Sequence, residues 1–216
     1  MELIITLIVL IFSAILHEVA HGYVADRLGD PTARLSGRLT LNPKSHIDPF
    51  MSILLPLLLL IGGSPVIFGA AKPVPVDPFN LKDGRKDIAL VSLAGPLTNI
   101  ILAISASLLL KGVLYFFSVS SMVSFTPFLV ILVVFLKIVI QINLLLAIFN
   151  LLPIPPLDGS KIFALILPEK EANAYLSLGS IGIFILFFLL SFPIGGFSLG
   201  ELIFRLLSFS LSLLAP

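Results

Sequence analysis

The chain has 216 residues, of which 58% are hydrophobic and only 12% charged, and its mean hydropathy is +1.15. A soluble globular domain carries about twice that share of charged residues, so the composition excludes this class and indicates a membrane protein with several spans. The net charge of +1 gives no indication of nucleic-acid binding. Because the sequence has no cysteine, any metal must be bound by His, Asp or Glu.

The first predicted helix, residues 2–24, contains the motif His17-Glu18-Val-Ala-His21. Two histidines at this spacing lie on one side of a helix, so both imidazoles can reach one metal ion. Glu18 is then close enough to take a proton from a water at that metal. Ionisable groups are costly within lipid, so the cluster indicates a functional site. The start of the chain lacks the basic region of a signal peptide, and we expect this helix to be retained.

Two further spans are predicted at about 88–110 and 126–152, since a helix needs roughly 20 apolar residues to cross the hydrocarbon core. The apolar region at about 175–214 is interrupted by Pro193 and Gly195-Gly196, which predicts a C-terminal helical hairpin.

The run 50–68 is short and contains Pro56, Gly62-Gly63 and Pro65, which favours a re-entrant loop or a strand-like hairpin over the site. Basic residues are present in the loops on both sides of this run. If both loops are cytoplasmic, as the positive-inside rule favours, the run cannot span. The N-terminus is then extracytoplasmic, and the metal site lies towards the cytoplasmic side of the membrane.

A catalytic zinc site normally has three protein ligands and a water, and Asp158 is the candidate for the third ligand. The prolines of Pro153-Ile-Pro-Pro156 end the preceding helix, so Asp158 follows an irregular segment that needs a protein or cavity environment at membrane depth. Asp158 and His21 share a side of the membrane only if an odd number of spans separates their helices. That count again requires 50–68 not to span. The alternative for Asp158 is a plain helix-terminating turn.

Three motifs together resemble the site-2 protease family, whose members are zinc metallopeptidases that cut membrane-embedded substrates. They are His17-Glu-Val-Ala-His21, Ala94-Gly-Pro-Leu-Thr-Asn99 and Asn150…Leu157-Asp-Gly159. The resemblance covers about residues 5–165. It implies an all-α polytopic membrane protein with a three-helix metalloprotease core, and one Zn²⁺ per chain.

The site residues that the resemblance implies are zinc ligands at His17, His21 and Asp158, with Glu18 as general base. It also implies that Asn99 and Asn150 face the active site, where such residues are thought to hold the substrate backbone or stabilise the oxyanion. Both asparagines could instead join helices, as polar residues do in membranes.

This chain resembles the minimal branch of that family, whose members lack the PDZ and CBS domains of others. Residues 49–88 leave no room for such a domain. We therefore expect a single integral-membrane peptidase domain over 1–216, with its core at about 5–165 and C-terminal helices at about 175–214. The segments 37–49 and 71–76 also look like that branch but have no assignable chemistry. Within them, His46 is either a further active-site residue or an anchor for its loop.

The expected function is an intramembrane zinc endopeptidase that cuts within or near transmembrane segments of substrate proteins in the lipid bilayer of the cell membrane. A substrate helix must unwind first, and the run 50–68 could present a strand edge to it. A lapsed protease that binds membrane helices and a transporter are the alternatives. Intact Glu18 argues against the first, and the absence of internal repeats argues against the second. Lys137, within a span, could snorkel, face a polar cavity or pair with Glu201.

Overall fold

The structure is a computed structural model that describes residues 2–48, 72–119 and 127–214, together with Leu54, Leu58 and Ile61. Within this part of the chain the regular structure is helical, apart from one isolated bridge between Ile194 and Phe197. The run 50–68, predicted to be re-entrant or a strand-like hairpin, lies outside the described residues except for those three positions.

Eight α-helices occur in the described residues, and three short 3₁₀ turns join them. The helices are α1 (Glu2–Leu28), α2 (Thr32–Leu35), α3 (Arg85–Val119), α4 (Pro127–Asn150), α5 (Asp158–Phe163), α6 (Glu169–Ser177), α7 (Gly179–Ser191) and α8 (Leu199–Leu214), and the turns are Pro43–Ser45, Pro78–Asn80 and Ala164–Ile166. By length and composition, α1, α3 and α4 can each cross a membrane, and α6 with α7 forms a strongly bent pair that can make up a further span. The prediction of an all-α polytopic membrane protein is confirmed.

The three long helices form the centre of the molecule, with α3 packed against both α1 and α4. Small buried residues on α3, Ala103 and Ala106, let the helices approach closely, as small residues do between membrane helices. Leu136 and Ile140 of α4 complete this cluster. The predicted spans correspond to these helices, although α3 is longer than predicted and α4 ends at Asn150, before the prolines.

The C-terminal helices pack against the outside of this centre. Side chains of α8 contact the cluster between α3 and α4, and the Ser107 hydroxyl donates to the carbonyl of Leu214 at 2.6 Å. The break between α7 and α8 falls at Pro193 and Gly195-Gly196, where the sequence predicted it, and both glycines have positive φ.

Lys137 is exposed on α4. Glu201 pairs with Arg205 of its own helix at 2.6 Å, rather than with Lys137.

A buried carboxylate joins the loop after α1 to the segment that precedes α3. Asp30 is completely buried and accepts hydrogen bonds from the backbone N–H and hydroxyl of Thr32, from the Asn80 amide at 3.0 Å and from the Asp77 N–H at 2.7 Å. Burial alone would raise the pKa of Asp30, but these donors favour the carboxylate and lower the pKa below its ordinary value. Asp30 therefore fixes the segment that passes over the motif of α1.

Candidate metal centre

Three candidate ligand atoms from two helices, α1 and α5, converge in the interior of the protein. His17 Nε2 lies 3.1 Å from His21 Nε2, and Asp158 Oδ2 lies 3.2 Å from each of these nitrogens. All three residues are buried, with 6%, 8% and 8% of their surface exposed for His17, His21 and Asp158. Within the described residues, they are the group whose ligand atoms come together closely enough to hold a metal ion.

The hydrogen bonds of the two imidazoles fix which nitrogen carries the proton. His21 Nδ1 lies 2.6 Å from the carbonyl oxygen of Val91, which can only accept, so Nδ1 is protonated and Nε2 of the neutral ring presents a lone pair. His17 Nδ1 lies 2.6 Å from Asn99 Oδ1. With Asn99 Oδ1 as the acceptor, His17 Nε2 presents a lone pair as well, and both lone pairs face the carboxylate.

The orientation of Asn99 follows from a buried polar chain that ends on α4. Asn143 Nδ2 donates to the carbonyl of Val139 at 2.8 Å and to the Ser13 hydroxyl at 2.9 Å, which identifies its amide nitrogen. Asn143 Oδ1 must then accept from Asn99 Nδ2, at 2.8 Å, and Asn99 Oδ1 is left to accept from His17. Asn99 and Asn143 are completely buried. Partners of this kind orient a ligating histidine and fix its tautomer.

One face of α3 supports both imidazoles. Val91, Gly95 and Asn99 are spaced four residues apart and therefore lie on the same side of the helix. A Cβ at Gly95 would stand 2.5 Å from His21 Nε2 and 2.6 Å from His17 Nε2, so only glycine allows this approach. Pro96, one residue later, has no N–H to donate to the carbonyl of Ser92.

Asp158 reaches the histidines because the chain turns back sharply after α4. It is the first residue of α5, and a Cβ at Gly159 would stand 2.2 Å from the carbonyl oxygen of Leu151, so glycine lets α5 begin against the end of α4. Lys161 Nζ lies 3.5 Å from Asp158 Oδ1, and the positive charge of this ammonium favours the ionised carboxylate. The carboxylate is thus in the ionised form that a cation requires.

Glu18 and Asn150 line a cavity of about 390 Å³ that opens on the three ligand atoms. The backbone N–H of Val74 donates to Glu18 Oε2 at 2.8 Å, so one oxygen of the carboxylate is held by the segment before α3. Asn150 uses its Nδ2 in a bond to the carbonyl of Leu146, within its own helix. The cavity has room for a stretch of peptide beside the candidate metal position.

Two of the predicted site residues lie away from this cavity. Asn99, expected to contact substrate, is completely buried, and its amide is used by His17 and Asn143. His46 is buried in the loop after α2, where its Nε2–H donates to the carbonyl of Thr40 at 2.8 Å, so it serves as an anchor of its loop. Sequence reasoning did not find Asn143 or Ser13. Their signal is weak, because a single amide or hydroxyl in an apolar helix is commonly a helix-packing residue.

The chain is similar to several known proteins. The model of peptidase family M50 matches residues 5–191. The chain is 41% identical over 197 residues to the protein named "Putative zinc metalloprotease YwhC" of Bacillus subtilis, covering 91% of this chain and 83% of the relative. Two proteins named Rip2 carry the same description. The one from Mycobacterium tuberculosis H37Rv is 34% identical over 82% of this chain, and the one from Mycolicibacterium smegmatis is 36% identical over 69%.

The chain spans 62% and 52% of the length of these two Rip2 proteins. No solved structure matches it. The family model covers most of the chain, including His17, His21 and Asp158, and the relative from Bacillus subtilis aligns with 91% of the chain. The chain belongs to peptidase family M50, the site-2 protease family that its motifs resemble.

Proposed function

We propose that this chain is an intramembrane zinc endopeptidase that hydrolyses peptide bonds within or near the transmembrane segments of other membrane proteins. The observation that carries the proposal is the convergence of His17 Nε2, His21 Nε2 and Asp158 Oδ2, separated by 3.1–3.2 Å beside Glu18. The membership of family M50 and the zinc metalloprotease names of its relatives support the same activity.

The three ligand atoms fit zinc. Zinc binds imidazole nitrogen and carboxylate oxygen at about 2.0–2.2 Å, and tetrahedral geometry then separates the ligand atoms by roughly 3.3 Å. The observed separations of 3.1–3.2 Å agree with that spacing. Two imidazole lone pairs and a carboxylate this close would repel one another, so a cation at their centre stabilises the arrangement. We assign His17, His21 and Asp158 as the ligands of one Zn²⁺ per chain.

A zinc ion held by these three residues would supply Lewis acidity for a bound water and for a substrate carbonyl. Glu18 takes the proton of the attacking water and returns it to the leaving amine. The Val74 N–H is directed at Glu18 Oε2, so the proton transfer is assigned to the other oxygen of this carboxylate. Glu18 at the cavity also argues against a lapsed protease, because a protein that only binds helices gains nothing from this group.

Asn150 is the residue of this cavity that we assign to the substrate backbone. Its Nδ2 bonds to the carbonyl of Leu146 within α4, which orients the amide, and the residue lines the same cavity as Glu18. An amide here can hold the substrate chain or donate to the oxyanion that forms on hydrolysis. We propose no substrate contact for Asn99, because it is buried behind His17.

Cleavage of a single-span reporter peptide in proteoliposomes tests the proposal. The wild type should cut a reporter with glycine or asparagine in its span faster than an all-leucine reporter, because a helix must unwind before its carbonyls are accessible. Glu18→Gln should cut neither, with its zinc retained. Equal cleavage by the wild type and Glu18→Gln would contradict the role of Glu18. Equal rates for the two reporters would contradict the requirement for unwinding.

A further inference from the structure

The Val74 N–H bonds to Glu18, and the two residues before Val74 are held by a second side chain, Arg38. We propose that Arg38 is a positioning residue for Glu18 that acts through the backbone of Lys72–Val74. The inference rests on the proposed function, since Glu18 is assigned there as the general base. It gives a role to the two segments, 37–49 and 71–76, whose patterns had no assignable chemistry.

Arg38 joins these two segments through backbone carbonyls. Its Nη2 donates to the carbonyls of Lys72 at 3.1 Å and Pro73 at 3.0 Å, and its Nη1 donates to the carbonyl of Ser45. The Lys72 N–H donates to the carbonyl of His46 at 2.8 Å, which adds a backbone bond to the same junction. A planar guanidinium with several donors in a fixed arrangement holds such a set of carbonyls at defined angles.

The segment 72–78 has few backbone N–H groups with which to fix its position. Pro73, Pro75 and Pro78 have no N–H, and each restrains the preceding residue to extended backbone. Of the four remaining amides, Lys72 donates to His46, Val74 to Glu18 and Asp77 to Asp30. Val74 is thus placed between two anchors, with Arg38 and His46 before it and Asp30 after it.

The side chain of Val74 adds close packing against α1. Only 7% of the surface of Val74 is exposed. Its Cγ1 would lie 2.7 Å from a Cβ added at Gly22, so the segment lies directly against the α1 backbone. Gly22 follows the HExxH motif by one residue, so the segment is seated on the turn of α1 that holds the motif. This packing fixes the position of the Val74 N–H relative to Glu18.

Loss of the Arg38 contacts frees the start of this segment, and the Val74 N–H then no longer holds Glu18 Oε2 in one place. The carboxylate gains rotamers that point away from the attacking water. A displacement of about 1 Å in a reacting group can lower the rate roughly 100-fold. We expect Arg38→Gln to lower kcat by about 10- to 100-fold with KM and zinc content nearly unchanged.

Amide hydrogen exchange at residue resolution, on purified protein in detergent, tests the contact without relying on activity. Arg38→Gln should speed exchange at Lys72 and Val74 and leave Asp77 unchanged, because Asp77 is held by Asp30. Asp30→Asn is the matched control, and it should speed exchange at Asp77 more than at Lys72 or Val74. Arg34→Gln removes an exposed side chain of α2 that pairs with Asp26 of α1, and it should change the exchange of none of the three amides. Unchanged Val74 exchange in Arg38→Gln, or equal acceleration of all three amides, would overturn the inference.

Kinetics on the reporter peptide distinguish positioning from a structural role. Arg38→Lys should recover part of the kcat lost in Arg38→Gln, since an ammonium can donate to one or two of the three carbonyls. A loss confined to KM, or loss of zinc together with kcat, would overturn the inference. A wild type that cuts no reporter would count against the proposed function, and the exchange result would then decide the inference by itself.

Discussion

Gly95 is the residue that allows α3 to touch both imidazoles of the HExxH motif. A Cβ at this position would stand 2.5 Å from His21 Nε2, closer than real contacts allow, so one imidazole must move. We expect Gly95→Ala to fold and to lose bound zinc. Gly112→Ala, in the same helix with open space around the new Cβ, should keep full zinc content. Atomic spectroscopy gives the zinc content per chain of both variants. Full zinc content in Gly95→Ala would contradict the packing argument.

Asn143 controls the metal centre from the far end of a chain of buried amides. Asn143→Leu removes the acceptor for Asn99, whose amide can then turn and present its nitrogen to His17. We expect zinc affinity, measured by chelator competition, to fall by about 10- to 100-fold. Ser107→Ala removes another buried polar group from the same helix bundle, away from the metal, and should leave the affinity unchanged. Equal affinity in wild type and Asn143→Leu would show that Asn99 needs no such support.

At the scale of elements, Asp30 ties the loop after α1 to the segment before α3, and the tie depends on pH. The pKa of Asp30 in the fold is below its ordinary value of 3.8. The carboxylate therefore stabilises the fold fully above that ordinary value, and this contribution is lost as the pH falls through it towards the lower pKa of the folded state.

In Asp30→Asn, the four donors from Thr32, Asp77 and Asn80 face an amide, which accepts more weakly than a carboxylate. The free energy of unfolding should fall by about 1–3 kcal/mol near neutral pH. The difference in Tm between wild type and variant should narrow below about pH 4. Asp26→Asn, which removes a partly exposed ion pair with Arg34, should change stability by less than about 1 kcal/mol. Thermal melts followed by circular dichroism in detergent give both comparisons. A difference that is constant with pH would contradict the account of Asp30.

The division of elements also shows what the sequence could predict. Helices α1, α3 and α4 follow from apolar length, and the motifs that α1 and α5 bring together were recognisable from residue type and spacing. The support of His17 by Asn99 and Asn143 could not be predicted, because the two asparagines lie in sequence-distant helices and their pairing depends on how α3 and α4 pack. The hydrogen bonds of Arg38 to the carbonyls of Lys72 and Pro73 could not be predicted either, since backbone carbonyls carry no sequence signal.

At the scale of the whole molecule, the charge distribution predicts the orientation in the membrane. We expect the N-terminus to be extracytoplasmic and the loop after α1 to be cytoplasmic. The sequence has no cysteine, so single probes can be introduced on an empty background. Glu2→Cys should react with a membrane-impermeant maleimide in intact cells, and Ser36→Cys only after permeabilisation. The opposite pattern would reverse the orientation and contradict an active site towards the cytoplasm.

We propose that His17, His21 and Asp158 hold one zinc ion and that Glu18 is not among its ligands. Zinc per chain in detergent-purified wild type, His21→Ala, Asp158→Ala and Glu18→Gln tests this claim most directly. We predict near-stoichiometric zinc in the wild type and in Glu18→Gln, and its loss in the other two, because each removes one of three converging ligand atoms. Full zinc in Asp158→Ala, or none in the wild type after reconstitution with zinc, would contradict the account.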